Sequence, residues 1–115
     1  HRLRPAAEDG VFFAGDSAGH CLPLSGEGIR TAFHFGIAAG QEIRTVLAGG
    51  GREAALARYG AFSRRHAPVF AAALALQRAI PRLPPRALTA LLGIMGREKL
   101  CRRAFAWYLA IAPPP

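Results

Sequence analysis

The sequence predicts a mostly helical portion of a larger α/β protein. Three observations predict it. A short apolar run, Val11-Phe12-Phe13-Ala14, lies between Gly10 and Gly15 and reads as one buried strand of the kind found in parallel sheets. A glycine-punctuated segment follows it. The rest of the chain is rich in Ala, Leu and Arg and carries helical spacing. A single buried strand has no partner for its backbone N–H and C=O groups, so partner strands are expected outside these residues. The chain is therefore read as the C-terminal part of its parent.

Each element has a local reason. His1 to Gly10 is polar and irregular, with Pro5 and an acidic turn at Glu8-Asp9-Gly10. Asp16 to Glu27 contains Gly19, Pro23, Ser25 and Gly26 and reads as a loop. A helix is expected from near Ser25–Gly28 to about Leu47, with Ser25 as its cap and Gly49-Gly50-Gly51 as its stop. Arg52 to about Arg65 is a second helix, and Pro68 breaks it or opens the next. Val69 to Ile80 places Phe70, Ala73, Leu74 and Gln77 at helical spacing. Pro81-Arg82-Leu83-Pro84-Pro85 is a stiff connector. Arg86–Met95 and Arg97–Ile111 are two further short helices, and three prolines end the chain. Two regions result: residues 1–51, the strand, loop and first helix, and residues 52–115, a helical C-terminal region.

Composition narrows the function classes. The 115 residues are 51% hydrophobic and 19% charged, which excludes a wholly disordered chain. Cys21 and Cys101 cannot make a disulfide framework, and neither has a cysteine neighbour at zinc-type spacing. No apolar run without charge, Ala87–Met95 included, approaches the roughly 20 residues a membrane-spanning helix needs. No secretory signal pattern is present and the chain begins at His1, so the reading is cytoplasmic.

The net charge of +8 is unevenly placed. Residues 1–53 hold five Arg and six acids, a net of −1, whereas residues 54–115 hold nine Arg, Lys99 and a single acid, Glu98, a net of +9. With 14 Arg against one Lys, part of this basicity reflects GC-rich coding. Nucleic-acid binding has little support, because no interleaved aromatic pattern and no DNA-reading motif occur. A solvated basic face is the simplest account of the helices. Peripheral membrane contact is the other: Arg97–Ile111 sets Leu100, Ala104, Trp107, Tyr108 and Ile111 along one side, away from Arg102 and Arg103.

The chemistry-bearing segment runs from Gly15 to Arg30. A carboxylate, Asp16, sits directly after the strand, where ligands bind in open α/β sheets. Gly26 and Gly28 then strip side chains from the start of a helix, where free backbone N–H groups attract negative charge. One acid able to accept hydrogen bonds from hydroxyls is thus paired with one electropositive backbone edge. A ligand with a polyol and an anion-stabilising ring suits that pair.

Those residues resemble the second FAD-contacting motif of the glutathione-reductase-type flavoproteins, a superfamily that includes aromatic hydroxylases, flavin halogenases and geranylgeranyl reductases. In that motif a Gly-Asp pair ends a strand, a proline follows seven residues after the Asp, and a Gly-x-Gly opens a helix. Gly15-Asp16, Pro23 and Gly26-Glu27-Gly28 fall in that register. Gly19, Pro23-Leu24, Gly28-Ile29, Gly36 and Ala38-Ala39 match the reductase-like branch, whereas hydroxylases carry His at the position of Gly19 and Asp at that of Phe35. The likeness covers residues 10–47.

The resemblance implies an FAD/NAD(P)-binding, Rossmann-like parent fold and FAD as cofactor, with NAD(P)H as a reductant. It implies that Asp16 binds a ribityl hydroxyl, and that the amides near Gly28 and Ile29 stabilise reduced flavin. Gly15, Pro23, Leu24 and Gly26 then shape the flavin-facing loop. The substrate class it implies is an organic, isoprenoid- or lipid-like molecule, either reduced or oxygenated. The superfamily's Gly-x-Gly-x-x-Gly fingerprint for the FAD pyrophosphate has no counterpart here, so this chain alone is expected to bind FAD weakly and to need the remainder of the protein. No catalytic residue is assigned. His20 and Cys21 sit in the loop beside the flavin position and are read as lining residues, with proton-donor chemistry as the alternative. His34 and His66 are read as surface or packing residues. Gly36 and Gly40 are read as a close-packing face toward the sheet or cofactor domain. The competing reading of the whole chain is a small basic helical adaptor, or a peripheral membrane module without catalysis.

Overall fold

Ala7–Glu8 (β1) and Val11–Phe12 (β2) pair antiparallel in the computed structural model, which describes residues 2–113. His1 and two of the expected terminal prolines, Pro114 and Pro115, lie outside the described residues. Between the strands, Asp9 (φ 50°) and Gly10 (φ 79°) reverse the chain in two residues. Both at positive φ make a primed turn, whose twist suits a tight hairpin. The pairing continues as Phe13 N–H donates to Ala6 O at 2.8 Å.

This corrects the reading of Val11–Ala14 as a buried parallel strand without a partner. The partner is β1, the pairing is antiparallel, and Val11 is 48% exposed. Asp9-Gly10 decided the matter, because a two-residue reversal can only join antiparallel neighbours.

After β2, Gly15–Ala18 forms one 3₁₀ turn and not open loop. Gly19 closes it at φ 71°, and a Cβ there would lie 2.5 Å from Arg2 O. The N-terminal segment runs against this point, with Arg4 N–H donating to Ala18 O at 3.0 Å. Gly19 is therefore required twice, by backbone conformation and by the approach of another strand of chain. The loop narrows again where Leu22 N–H donates to Glu27 O, and Gly26 N–H to Leu22 O, both at 2.9 Å.

Five helices follow: Ile29–Leu47 (α1), Arg52–Arg65 (α2), Ala67–Ala79 (α3), Pro85–Met95 (α4) and Glu98–Ala110 (α5). They agree with the periodicity to within a few residues. Gly49 stops α1 as expected: it takes φ 92°, its N–H donates to Val46 O, and Gly50 N–H donates to Thr45 O. That pair of bonds satisfies the last-turn carbonyls of α1. Ser25 does not cap α1. The N-cap is Gly28, with no side-chain bond, and Ser25 Oγ instead accepts from Glu27 N–H at 3.3 Å, stabilising the preceding turn.

The interior has two adjoining clusters. Ala6, Ala18, Ala39 and Tyr59 pack where α1 and α2 meet the hairpin. Small side chains allow that approach, and the Tyr59 hydroxyl donates to Phe13 O at 2.7 Å. Leu22, Phe35, Phe70, Ala73 and Ile111 form the second cluster, which joins the loop, α1, α3 and the segment after α5. The molecule measures 59 × 26 × 18 Å with a radius of gyration of 17.2 Å. A compact domain of this length has about 13 Å, so some helices extend away from the core.

Candidate functional site

The Gly15–Gly28 segment turns back so that its two ends meet at the start of α1. A Cβ placed on Gly28 would lie 3.4 Å from Asp16 Oδ1 and 3.8 Å from Cys21 Sγ. The Asp16 carboxylate is exposed and forms no ion pair among the described residues. Opposite it, the first turn of α1 holds no acidic residue and no side-chain cap. Its backbone N–H groups and the positive end of the helix dipole are left for another acceptor. A hydrogen-bond acceptor and an uncapped helix start thus stand side by side, with glycine between them.

The proposed binding residues divide into two sets. Gly15 is buried at φ 67° and turns Asp16 outward. Asp16, Gly28 and Ile29 come together, and Ile29 is 77% exposed at the helix start. Gly26, at φ 67°, belongs to the bend between Leu22 and Glu27, which also carries half-buried Pro23 and exposed Leu24. Along α1, Ile29, Phe33 and Ile37 continue as an exposed apolar strip. A Cβ on Gly36 or Gly40 would meet nothing within 4 Å beyond its own helix, so the close packing expected of them does not occur among the described residues.

Of the two loop residues beside the site, His20 turns inward. It is fully buried, lies 3.0 Å from Ser63 Oγ through Nε2, and stacks on Phe35 with centroids 3.6 Å apart. His66 and His34 complete this aromatic group around Phe35, at 4.9 and 5.4 Å. Burial, reinforced by the neighbouring His66 and His34, lowers the His20 pKa to about 4. A neutral, enclosed imidazole is a packing residue, not a proton donor to a surface ligand. Cys21 does reach the site, but burial, and then the Asp16 charge, push its thiol up. It therefore stays protonated near neutral pH, as an uncharged wall.

One link escaped the sequence reading: the fastening of the Glu27–Arg30 pair to the C-terminal helix. Glu27 pairs with Arg30 at 2.7 Å, and Arg30 also donates to the carbonyls of Tyr108, Leu109 and Ala112. The Tyr108 hydroxyl donates to Glu27, and Ser25 Oγ lies 3.0 Å from the same hydroxyl oxygen. The end of α5 is thereby fastened to the loop that carries the site. The Glu27–Arg30 spacing was the only local sign of it.

Among the described residues, no group of three or more His, Cys, Asp or Glu is arranged to hold a metal ion. No protein-family model, curated protein or solved structure matches the chain.

Proposed function

We propose that the chain forms one wall of a flavin site in an FAD-dependent oxidoreductase, and that the complete protein reduces or oxygenates an organic, isoprenoid- or lipid-like substrate. One observation carries the reading: Asp16 and Gly28 stand together at the uncapped start of α1, in the register of the flavoprotein motif. The residues present suit that ligand. The exposed Asp16 carboxylate accepts hydrogen bonds from ribityl hydroxyls. The amides at Gly28 and Ile29 face developing negative charge on the ring, and the missing Cβ at Gly28 lets a planar group approach. Gly15 and Gly26 hold the turns that set these groups, while Pro23 and Leu24 form the outer bend. Bound FAD supplies the hydride chemistry, with NAD(P)H as the reductant.

The pyrophosphate fingerprint is not among these residues, so tight binding requires a Gly-x-Gly-x-x-Gly element from elsewhere in the protein. The test is the flavin content of the gene product that contains residues 1–115. It should purify yellow, and Asp16→Ala should weaken FAD binding by about tenfold, the worth of one hydrogen bond to a charged group. A colourless product, or an Asp16→Ala variant that retains flavin as well as the parent, would refute the reading and favour a non-catalytic helical module.

A further inference from the structure

We propose that α4 and α5 together form a docking surface for an anionic lipid bilayer. The first reason is an apolar helix with almost nothing covering it. Leu88, Leu91, Leu92 and Met95 fall at i, i+3, i+4 and i+7, the stripe by which a helix normally enters a core. Yet no residue of α4 is buried and only Leu88 is half-buried; Leu92 is 63% and Ile94 50% exposed. The second reason lies on α5, where Phe105 and Trp107 are 60% and 59% exposed. Bulky aromatic residues of this kind settle at the boundary between headgroups and acyl chains.

Charge selects the occupant. Arg86, Arg97, Lys99, Arg102 and Arg103 lie on or between these two helices against a single acid, Glu98, which pairs with Arg102 at 3.4 Å. A second copy of the chain would bring the same cationic surface, and like charges oppose pairing. An anionic bilayer meets both demands, since it accepts apolar side chains and attracts nearby cations.

Length sets the mode of binding. Helices of 11 and 13 residues reach roughly 16 and 20 Å, short of the roughly 30 Å hydrocarbon layer. No helix among the described residues is long and apolar enough to cross a membrane. The pair therefore lies in the interface. Arg30 and Tyr108 tie α5 to the site-bearing loop, so docking would place that loop near the lipid. The lipid surface itself stands apart from the flavin reading and uses none of its residues.

Trp107 is the chain's only tryptophan and reports directly. The 115-residue chain is mixed with vesicles of phosphatidylcholine, or of phosphatidylcholine and phosphatidylglycerol, with or without brominated acyl chains. With phosphatidylglycerol the emission should shift to the blue and be quenched by bromine, and added salt should weaken binding. Arg102→Gln with Arg103→Gln should reduce the anionic preference. Leu92→Glu with Ile94→Glu should abolish quenching while circular dichroism stays unchanged, because both side chains are exposed. Absence of quenching by either vesicle would overturn the proposal. So would equal binding to both vesicles, or a stable dimer in which Trp107 is already shielded and vesicles change nothing.

Discussion

Arg30 and Tyr108 meet across 78 residues of chain: Arg30 Nη2 donates to Tyr108 O at 3.3 Å, and the guanidinium carbon lies 4.9 Å from the tyrosine ring centre. With Glu27 on its other side, Arg30 is the joint between the candidate site and the C-terminal helix. Arg30→Ala should destabilise the chain by roughly 2 kcal/mol, the usual loss for bonds to a charged group. Arg30→Lys should recover only part, since an ammonium cannot reproduce the planar fork. Amide exchange near residues 105–112 should accelerate in both variants. Unchanged exchange there would mean that α5 is held by other contacts.

Acid should reveal the same joint. The hydrogen bond from Arg30 holds the Glu27 carboxyl below the ordinary carboxylate range. A depressed folded-state pKa contributes stability that is complete above the unfolded value, about 4.3, and is lost as pH falls through the lower folded value. Urea midpoints of the parent chain should therefore decline below about pH 4.3. Arg30→Ala should flatten that limb.

His20 governs a different window. Its folded-state pKa is about 4 against an ordinary value of 6.5. The unfolded chain thus binds the extra proton between those values. Stability from this group is complete above the ordinary value and decreases as pH falls toward about 4, by an amount on the order of 3 kcal/mol. The physical cause is enclosure: the His20 ring is fully buried, and Nδ1 has no hydrogen-bond partner among the described residues. His20→Phe should remove most of the slope between pH 6.5 and 4. A slope that persists in His20→Phe would assign it to His34, whose pKa burial also lowers.

Two glycines should separate folding from binding. Gly19→Ala places a methyl group 2.5 Å from Arg2 O at a left-handed φ, so a loss of about 1–3 kcal/mol is expected from strain at such a position. Gly28→Ala meets Asp16 Oδ1 at 3.4 Å and Cys21 Sγ at 3.8 Å, ordinary contact distances, and has φ −111°. Thermal stability should barely change, whereas flavin retention by the complete gene product should fall. If both variants behave alike, the gap beside Asp16 has no role in binding.

Tyr59→Phe tests the joint between α2 and the hairpin. Loss of the bond to Phe13 O should cost about 1 kcal/mol, read from denaturant midpoints. Burial pushes the Tyr59 hydroxyl up to about 12. Its raised folded pKa contributes stability that is present below the unfolded value of about 10 and disappears as pH rises toward 12. The phenylalanine variant should lack that alkaline decline.

Helix α1 shows what could be read locally. Its end was legible because Gly49 and Gly50 close it through bonds to Val46 and Thr45, all within five residues. The cap was misread because Ser25 has the right chemistry but sits in a tighter turn of its own. The strand was misread because an apolar run says nothing about its neighbours, and Ala7-Glu8 lacks the apolar alternation of a strand.

By itself the sequence determined five helices, the glycine stops and the spacing from Asp16 to Gly28, since each depends on backbone bonds or turns made over short stretches of chain. The fold alone decided that His20 points inward to Ser63, 43 residues away, while Asp16 points outward. It also decided that the end of α5 returns to Arg30, and that α4 remains uncovered. Those outcomes depend on how helices cross and which way side chains project, and no short stretch of sequence encodes the angle between two helices.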